Sequence, residues 1–418
     1  MSKTDFVLRD RENRSRFIEK LCSVYNTIVV VKANIPGSEK NSYLSYLLVN
    51  VFLGVLKKHN FKLLRKIRSL DGPYSIFTTN QDSSIVKEEM IRTEDCHPLG
   101  RFIDIDVYSK DYRHNRSIQR KCFICDRDAF LCIKEQKHSI QELKCFVELK
   151  VLDYYEHIVF AMIDKSIMNE LNLEPKFGLV TPSSQGTHPD MSYDLMVKAK
   201  NVIKPYFLRM FYKSIKADED FKDVVLDLKK LGIEAEKAML LATNNINAYK
   251  GLIFNLGLFV CAFAKKLTSF SDENIFDYTK ILAKLILEDG NHEFDTFGDF
   301  AYSKYGVKGA KGEALSGFNT VQNSLKIDLH NSHFSKLQVL IYFIVNVEDT
   351  NFLKRSISFD NYLNVKKMFA NVNILNQNDI RELDSYCIKN NLTFGGSADL
   401  LVVRFFLEEI KEFFWIID

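Results

Sequence analysis

The chain has 418 residues, 46% hydrophobic and 27% charged, with only 7 Pro and 17 Gly. This composition excludes a disordered tail and a collagen-like or low-complexity sequence. Because single hydrophobic cores stop growing at roughly 250–300 residues, we expect two domains. Residues 1–155 hold 27 Lys+Arg against 20 Asp+Glu, a net of +7, and the remainder a net of −4. The basic front part fits polyphosphates, an acidic protein partner or nucleic acid.

Eight cysteines are too few for a disulfide scaffold, and the cluster Cys122, Cys125 and Cys132 suits a reducing compartment. The first residues lack the apolar stretch of a signal peptide. The longest apolar run, 251–264, is shorter than the roughly 20 residues that a membrane span needs. We therefore expect a cytoplasmic protein with no membrane partner.

The front part mixes strand and helix signals. Residues 27–33, TIVVVKA, are β-branched and compact, which predicts a buried strand. Residues 42–58 place apolar side chains at helical spacing after Pro36-Gly37. Further strands are predicted at 61–69, 74–79, 84–91 and 101–108. This mixture indicates an α/β or α+β domain over residues 1–150.

From about residue 140 the strand signals thin out and long amphipathic runs predominate. They cover 143–171, 191–217, 219–231, 234–265, 274–289, 333–347, 378–390 and 398–416. Residues 151–418 are therefore predicted to form an all-α domain, which makes the chain a multidomain protein. In such a domain the functional residues are expected in the loops between helices.

A pair of carboxylates lies in the predicted strand 101–108. Strand alternation points Asp104 and Asp106 to one face, and two such carboxylates form a hard-oxygen site for Mg²⁺. The ion would offset charge on a departing pyrophosphate. Arg101, which follows Gly100, offers a guanidinium for bidentate phosphate contact. Taken alone, however, this motif favours an ordinary strand with a solvated acidic face.

A cysteine-rich segment follows the carboxylate pair. Four candidate zinc ligands lie within 17 residues, namely Cys122, Cys125, Cys132 and His138. A Cys₃His tetrahedron is a closed structural zinc site with no open position for chemistry. The alternative is a set of reduced, packed cysteines beside a surface histidine.

Two basic stretches accompany these motifs. They comprise Lys57, Lys58, Lys62, Arg65, Lys66 and Arg68, and then Lys110, Arg113, Arg116, Arg120 and Lys121. Such stretches are usually solvated faces, but two of them favour an anionic ligand or an acidic docking protein. A remote alternative is a zinc-containing nucleic-acid-binding protein. We expect no nucleic acid partner, because no stacking platform or groove-reading helix is apparent.

The strings LRDRENR (8–14), HPLGRFIDIDV (97–107) and CFICDRDAFLCIKEQKH (122–138) resemble the phosphoribosyl-dephospho-CoA transferase of citrate lyase. The resemblance spans residues 1–150. It implies a nucleotidyltransferase-type transfer of phosphoribosyl-dephospho-CoA to a serine of the acyl carrier subunit, with release of pyrophosphate. We assign Asp104 and Asp106 to Mg²⁺, and Arg101, with Arg9 and Arg11, to the phosphates. Because acyl carrier proteins are acidic, the basic stretches also suit docking of this partner.

The helical half contains polar or Gly-containing strings at predicted helix ends. They are EPKFGLVTPSSQGTHPDM (174–191), NNINAYKG (244–251), GVKGAKGEALSGF (306–318), EDTNFLKR (348–355) and NLTFGGSADLL (391–401). Small residues with Lys, Ser, Thr and Asp at helix N-termini suit a polyphosphate, although each string alone is more often a turn. None matches the Walker pattern.

In order, these strings resemble triphosphoribosyl-dephospho-CoA synthase over residues 150–415. The resemblance implies that ATP and 3′-dephospho-CoA are the substrates and that adenine leaves. The expected triphosphate ligands, used with Mg²⁺, are Lys176, Lys250, Lys311 and Arg355. The candidates for proton transfer are Asp190, Glu313, Asp349 and Asp399. The other matching positions, assigned to substrate binding, are His188, Gly251, Asn351, Gly395, Gly396 and Ser397.

The sequence departs from the synthase pattern at several positions. They are Phe177, Tyr249, Lys311, Ser356-Ile357 and Phe394, in place of Pro, His, Arg, a Gly pair and Pro. Tyr cannot shuttle protons at neutral pH as His can, and Lys lacks the bidentate fork of Arg. The leading hypothesis is that one chain makes the prosthetic-group precursor and attaches it. The alternative is an active front transferase with a degenerate nucleotide-binding back half.

Overall fold

The computed structural model describes residues 3–110, 112–114, 120–125, 127–288, 297–329 and 332–414. Arg116, part of the second predicted basic stretch, lies outside the described residues. The architecture consists of a small antiparallel sheet in the N-terminal part and a larger helical part after it.

The front part contains a five-stranded sheet with the order β2-β3-β1-β4-β5. The strands are β1 (Thr27–Ala33), β2 (Lys62–Ile67), β3 (Tyr74–Thr79), β4 (Ile103–Ser109) and β5 (Tyr112–His114). The accompanying helices are α1 (Lys3–Cys22), α2 (Tyr43–Lys58), α3 (Ser83–Cys96) and α4 (Ala129–Lys134). The predicted strands at 27–33, 61–69, 74–79 and 101–108 and the predicted helix at 42–58 are thus confirmed.

The predicted strand at 84–91 is wrong, because these residues lie in α3. The Asp82 side chain accepts a hydrogen bond from the Ser84 backbone N–H at 2.8 Å and so caps the helix. Val86 and Met90, four residues apart, are both buried, which is the spacing of one helix face. The β-branched Ile85 and Val86 favour a strand locally, and the cap and this spacing override that preference.

Alternate residues of the strands point to opposite faces of the sheet, and each face belongs to a different hydrophobic cluster. One face belongs to the main core, to which β1 and β4 contribute Val29, Val31, Ile103, Ile105 and Val107. The other face packs against α1 through a smaller cluster containing Ile18, Cys22, Ile28, Val30, Tyr74 and Ile76. Asp104 and Asp106 lie on this second face, because Lys32 and Val30 are their partners on β1.

The helical part follows the predicted amphipathic runs closely. Its long helices are α5 (Ile140–Leu171), α6 (Tyr193–Ser214), α7 (Val225–Ala242), α8 (Lys250–Leu267), α9 (Ile275–Glu288), α13 (His333–Asn346), α16 (Gln377–Lys389) and α17 (Gly395–Phe413). The predicted runs 219–231 and 234–265 are divided at the wrong place, because α7 continues through residues 232–233 and the chain leaves the helix between α7 and α8. Further helices lie between the predicted runs: α10 (Phe297–Tyr305), α11 (Gly309–Leu315), α12 (Asn319–Ser324), α14 (Thr350–Arg355) and α15 (Phe359–Asn371).

The two parts share one continuous core. Helix α5 passes without interruption through residue 150, so the predicted boundary there falls inside a helix. The Tyr155 hydroxyl donates to the Leu47 carbonyl of α2 at 2.8 Å, and Asn50 Nδ2 donates to the Leu267 carbonyl at 2.7 Å. These buried bonds fix α2 against the helical part. Among the described helices, none combines the length and apolar character that a membrane crossing requires.

The turn between α14 and α15 contains a strained residue. Ile357 has φ +64° and is 97% exposed. A β-branched side chain is disfavoured in this left-handed region, where glycine is not. Its neighbour Ser356 is buried and donates its hydroxyl to the Phe352 carbonyl at 2.7 Å.

Replacing Ile357 by glycine is expected to raise the free energy of unfolding by about 1 kcal/mol, because it relieves backbone strain at a side chain that packs against little. Urea denaturation measures the change. The control is Asn60→Gly, at φ +57°, which should change stability by less than about 0.5 kcal/mol because asparagine tolerates this region. A lower denaturation midpoint for Ile357→Gly than for the parent would contradict the interpretation.

Candidate active sites

The helical part contains a cavity of about 480 Å³. Predicted site residues from widely separated strings line it together: Lys176, His188, Asp190, Lys250, Gly251, Asn351, Arg355, Gly395 and Asp399. The cavity walls come from the loop between α5 and α6 and from the N-terminal ends of α8, α14 and α17. Helix N-termini direct backbone N–H groups and partial positive charge toward a ligand, which suits an anion.

Asp349 lies behind the cavity wall and holds two of these helix ends together. One carboxylate oxygen accepts from the backbone N–H groups of Asn351 (2.9 Å) and Phe352 (3.1 Å) at the start of α14. The other oxygen accepts from the Ser397 N–H of α17 at 3.1 Å. Burial raises the pKa of Asp349 and these hydrogen bonds oppose the rise. Asp349 therefore fixes the geometry of Gly395, Gly396 and Ser397.

Asp399 is a half-buried residue whose carboxyl group faces the cavity. Burial raises its pKa well above the ordinary value, and the nearby charges of Asp349 and Glu170 raise it further. The side chain lies against Gly251, where a Cβ atom would overlap Asp399 Oδ2. The absence of a side chain at Gly251 therefore allows α8 and α17 to approach at this point.

The basic residues of the cavity differ in their partners. Lys176 is buried and pairs with the buried Glu170 carboxylate at 2.8 Å. Lys250 is largely exposed and contacts Glu236 at 2.7 Å. Arg355 donates through Nη1 to Asn391 Oδ1 at 2.6 Å, which orients its guanidinium at the rim. Lys250 and Arg355 are therefore better placed than Lys176 to bind an incoming anion.

His188 is held by a hydrogen bond between its Nε2 and the Thr393 hydroxyl, at 2.8 Å. Burial lowers its pKa, and the adjacent Arg355 charge lowers it further. A neutral imidazole is therefore expected at neutral pH, so this residue contributes a hydrogen-bonding group and no charge.

Two predicted site residues lie away from the cavity. Lys311 contacts Asp299 at 3.5 Å on the surface. Glu313 accepts two hydrogen bonds from Thr320, from its N–H and its hydroxyl, both at 2.9 Å. Its carboxylate fastens α11 to α12, although burial raises its pKa.

Sequence reasoning missed several lining residues. Glu170, Lys354 and Thr393 belong to the cavity wall, as does Tyr249. The Tyr249 hydroxyl is buried and has no hydrogen-bond partner within the described part of the chain. In the sequence, this tyrosine is only a departure from the synthase pattern, and no signal there indicates that it lies beside the cavity.

In the front part, Asp104 and Asp106 project from the same face of β4, as predicted. Asp104 accepts from Arg120 Nη1 at 2.6 Å, and Asp106 accepts from Arg113 Nη2 at 3.2 Å. The Asp104 side chain is 47% exposed. Partial burial raises its pKa, and the neighbouring Asp106 charge adds to the rise while Arg120 opposes it. Both carboxylates are thus partly exposed, and each is paired with one arginine.

A buried carboxylate that the sequence analysis did not identify organises the cations beside this pair. Asp71 accepts from Arg11 Nη2 (2.8 Å), from Arg14 Nη1 (2.9 Å) and from Lys32 Nζ. Burial alone would raise the pKa of Asp71, but these hydrogen bonds hold it well below its ordinary value. The three cations and Asp106 line a cavity of about 440 Å³. The signal for this cluster in the sequence is Lys32, a lysine in the otherwise apolar strand TIVVVKA.

The other predicted phosphate ligands of the front part are placed differently. Arg11 lines the cavity, whereas Arg9 is exposed on α1 and does not. Arg101 donates to the Lys121 carbonyl and lies over the Phe123 ring, with its guanidinium carbon 4.9 Å from the ring centroid. Arg101 thus fastens the cysteine-rich segment, in which the ligand atoms of Cys122, Cys125, Cys132 and His138 all lie within 4.8 Å of one another.

The helical cavity carries basic side chains, helix ends and acidic residues, whereas the front cavity carries Arg11, Arg14, Lys32 and Asp106. Such linings suit a transferase that acts on polyphosphate ligands.

Comparison with known proteins identifies the transferase. Residues 3–154 match the family described as apo-citrate lyase phosphoribosyl-dephospho-CoA transferase, and residues 159–417 match ATP:dephospho-CoA triphosphoribosyl transferase. The chain is 32% identical to Protein CitXG of Leuconostoc mesenteroides subsp. cremoris over 97% of this chain and 96% of that protein. It is 27% identical to Protein CitXG of Haemophilus influenzae, over 96% and 94% of the two chains.

A single-function relative aligns with the helical part. The 2-(5''-triphosphoribosyl)-3'-dephosphocoenzyme-A synthase of Haemophilus ducreyi is 28% identical over 68% of this chain and 98% of that protein. The chain belongs to the family of fused proteins that joins the two transferases, in this order. It is a bifunctional enzyme of citrate lyase maturation.

The close approach at Gly251 predicts the effect of a single methyl group. Gly251→Ala is expected to reduce triphosphoribosyl transfer from ATP about 100-fold, because the new Cβ displaces Asp399 within the cavity. Steady-state product formation measures the loss. The matched control is Gly232→Ala in α7, where a Cβ meets nothing within 4 Å. This control should keep full activity, and equal rates for both variants would contradict the role of the contact.

Proposed function

We propose that the cavity of the helical part binds ATP and 3′-dephospho-CoA and that Asp399 serves as the general acid for adenine departure. A ribose hydroxyl of dephospho-CoA attacks the anomeric carbon of ATP. The new C–O bond forms as the bond to adenine breaks, and the triphosphate stays on the ribose. Adenine takes a proton from Asp399, and the attacking hydroxyl gives its proton to Asp190. The observation that carries this proposal is the Asp399 carboxyl group, whose pKa is raised, in a cavity lined by Lys250 and Arg355.

The contacts of the four carboxylates favour Asp399 among them. Asp349 already accepts backbone hydrogen bonds on both oxygens, and Glu313 is occupied with Thr320 outside the cavity. Asp190 lines the cavity and stands on the loop before α6, where it suits a base. A general acid must be protonated at the working pH, which burial favours for Asp399.

The triphosphate is assigned to the rim of the cavity. Lys250, Lys354 and Arg355 lie there beside Asn351 and the N-terminal end of α17. These cations would bind the phosphate groups, whereas the Asn351, Phe352 and Ser397 N–H groups already donate to Asp349. Mg²⁺ accompanying ATP would reduce the remaining charge. The Lys176–Glu170 pair is internally neutral and supports the wall beneath them.

For the front part, we propose a nucleotidyltransferase-type site in which Asp104 and Asp106 hold Mg²⁺. Their oxygens are hard ligands on one strand face, and Lys32, Arg11 and Arg14 lie on the same side of the sheet. These cations would bind the departing pyrophosphate, while Asp71 keeps them in place. The ion supplies charge neutralisation at the phosphates when it is bound. The acceptor is a serine of the acyl carrier subunit, whose hydroxyl oxygen attacks the α-phosphorus of the triphosphate. The new O–P bond forms as the bond between the α-phosphorus and the β-phosphate breaks, pyrophosphate leaves, and the hydroxyl proton passes to solvent.

The reading of the helical part as degenerate rests on its departures from the synthase pattern, and most of these lie away from the cavity. Phe177 and Phe394 pack on Phe369, with ring centroids 4.8 and 5.1 Å apart. Ser356 and Ile357 form a turn outside the cavity lining. Of the departures, Tyr249 lines the cavity, so a loss of activity would have to arise at that residue.

A sequential assay tests both activities. Purified protein with ATP, 3′-dephospho-CoA and Mg²⁺ should release adenine, and addition of the apo carrier subunit should then produce pyrophosphate and a mass increase on the carrier. ATP binding without adenine release would support the degenerate reading. Adenine release without carrier modification would contradict the proposal for the front part.

The assignment of Asp399 predicts a pH dependence. Because its pKa is raised well above the ordinary value, the Asp399 carboxyl group keeps its proton to higher pH than an ordinary carboxyl group, so adenine release should fall as the pH rises through that pKa. Asp399→Asn should reduce the rate about 10²–10⁴-fold and remove this alkaline limb. The control Asp360→Asn, exposed on α15, should retain the parent profile. A parent-like alkaline limb in Asp399→Asn would exclude Asp399 as its source.

The assignment of the front site predicts separable activities. Asp104→Asn and Asp106→Asn should each lower carrier modification about 100-fold or more, because the cation loses a charged ligand, while adenine release stays at the parent rate. Mass spectrometry of the carrier and chromatography of adenine report the two steps. Asp153→Asn, exposed on α5, provides the control. Equal losses in both steps would indicate a general structural effect and contradict the assignment.

A further inference from the structure

The cysteine-rich segment forms a compact set of ligands that neither proposed reaction uses. Cys122 and Cys132 have their sulfur atoms 3.5 Å apart, and His138 Nε2 lies 3.3 Å from Cys125 Sγ. In a tetrahedral zinc site with bonds of about 2.3 Å, neighbouring ligand atoms stand about 3.8 Å apart. The observed ligand separations, all within 4.8 Å, already match a closed four-ligand site.

The local backbone explains how four ligands converge from so short a segment. An antiparallel bridge between Lys121 and Asp128 closes a hairpin, in which the Cys122 N–H donates to the Arg127 carbonyl at 2.8 Å. The Asp128 side chain then caps α4, which carries Cys132. The Lys137 N–H donates to the Cys132 carbonyl at 3.0 Å and so directs the chain toward His138.

Phe123 packs against Phe102 of the main core, but the α4 part of this segment has little hydrophobic core to hold it. On α4, Phe130 and Ile133 are 66% and 72% exposed, whereas Cys132 is buried among the other ligands. Small substructures that bury so little apolar surface are commonly stabilised by a metal ion. Three thiols and an imidazole are ligands that select zinc, and they leave no position for a substrate.

The base of the same hairpin reaches the front active site through Arg120. The Ala129 N–H donates to the Arg120 carbonyl at 3.0 Å, which ties this residue to the hairpin. The Arg120 side chain is 18% exposed and contacts Asp104 Oδ1 at 2.6 Å and Glu94 Oε1 at 2.7 Å. Glu94 Oε1 also accepts from the Ile105 N–H at 2.7 Å. The hairpin therefore positions a cation directly on one carboxylate of the proposed magnesium site.

We propose that Cys122, Cys125, Cys132 and His138 bind one structural Zn²⁺ and that the zinc-held hairpin positions Arg120 against Asp104. Zinc is then required for carrier modification and not for adenine release. Without the ion, the hairpin loses the link between its four ligands, and its remaining contacts are those of its backbone, of the Asp128 cap and of Phe123 with Phe102 and Arg101. The backbone from which Arg120 orients Asp104 is then held less firmly. The functional half of this inference rests on the proposed role of Asp104.

Metal analysis of the full-length protein tests the site itself. The parent should contain one zinc per chain, and cobalt exchanged for zinc should give the visible bands of tetrahedral, thiolate-bound Co²⁺. Cys125→Ser should lose both signals. Cys145→Ser, an exposed cysteine of α5 outside the cluster, is the matched control and should keep both. A parent protein that retains no zinc after expression with added zinc, and shows no tetrahedral cobalt bands, would overturn the proposal.

The two activities test whether the zinc site supports the front site through Arg120. Removal of zinc by a selective chelator, with Mg²⁺ restored, should reduce carrier modification at least 10-fold and leave adenine release unchanged. Readdition of zinc should restore the loss. Full carrier modification by zinc-free protein would overturn the link to Arg120, even where metal analysis supports the site. Parent protein that binds zinc but modifies no carrier would instead contradict the proposed function of the front part.

Variants of Arg120 distinguish a positioning role from a general effect on stability. Arg120→Gln should retain zinc and adenine release but raise the Mg²⁺ concentration for half-maximal carrier modification about 10-fold, because Asp104 is no longer oriented. Arg120→Lys should recover part of this shift. An unchanged Mg²⁺ dependence in Arg120→Gln would exclude the positioning role.

Discussion

The cavity of the helical part depends on one buried carboxylate, Asp349. It caps α14 and, through its second oxygen, accepts the Ser397 N–H of α17, so the helix that carries Asp399 is placed relative to the helix that carries Arg355. Burying a carboxylate is costly unless hydrogen bonds satisfy it, and here backbone N–H groups do so on both oxygens. Because these donors are main-chain groups, the arrangement depends on the backbone at the two helix ends, and a Cβ atom at Gly396 would come within 3.0 Å of the Asp349 carboxylate.

The front site also contains a buried carboxylate, but here side chains and not backbone N–H groups donate the hydrogen bonds. Asp71 is a buried carboxylate surrounded by Arg11, Arg14 and Lys32, which hold its pKa low. One charge is thus shared among three cations, and the group keeps a net positive charge beside Asp106. Such an excess attracts a polyanion, whereas Asp104 and Asp106 on the neighbouring strand attract the cation that accompanies it.

Local patterns in the sequence predicted the elements well and the tertiary partners poorly. Alternation in RFIDIDV correctly placed Asp104 and Asp106 on one face of a strand. Most of the five polar strings of the helical half contribute residues to the cavity. Asp71 could not be found in this way, since its three partners come from α1 and β1, and only the fold brings them together. The helix α3 was missed because its cap and its buried spacing outweigh the strand preference of Ile85 and Val86. Lys311 and Glu313 belong to a glycine-containing string like those that line the cavity. Nothing in that string indicates that these two residues lie away from the cavity.

The departures from the synthase pattern acquire a physical explanation once their positions are known. Phe177 and Phe394 replace small rigid residues, yet both are buried and meet the same ring, Phe369, while Phe394 also contacts Phe352 at a centroid distance of 4.6 Å. Aromatic side chains at both positions fill one shared volume, so the two changes compensate each other behind the wall. Tyr249 is different, because its hydroxyl is buried beside Asp399 and Glu170 and the described residues offer it no partner. Leaving a buried hydroxyl unpaired costs about 1–3 kcal/mol, and a polar substrate atom in the cavity would remove this cost on binding.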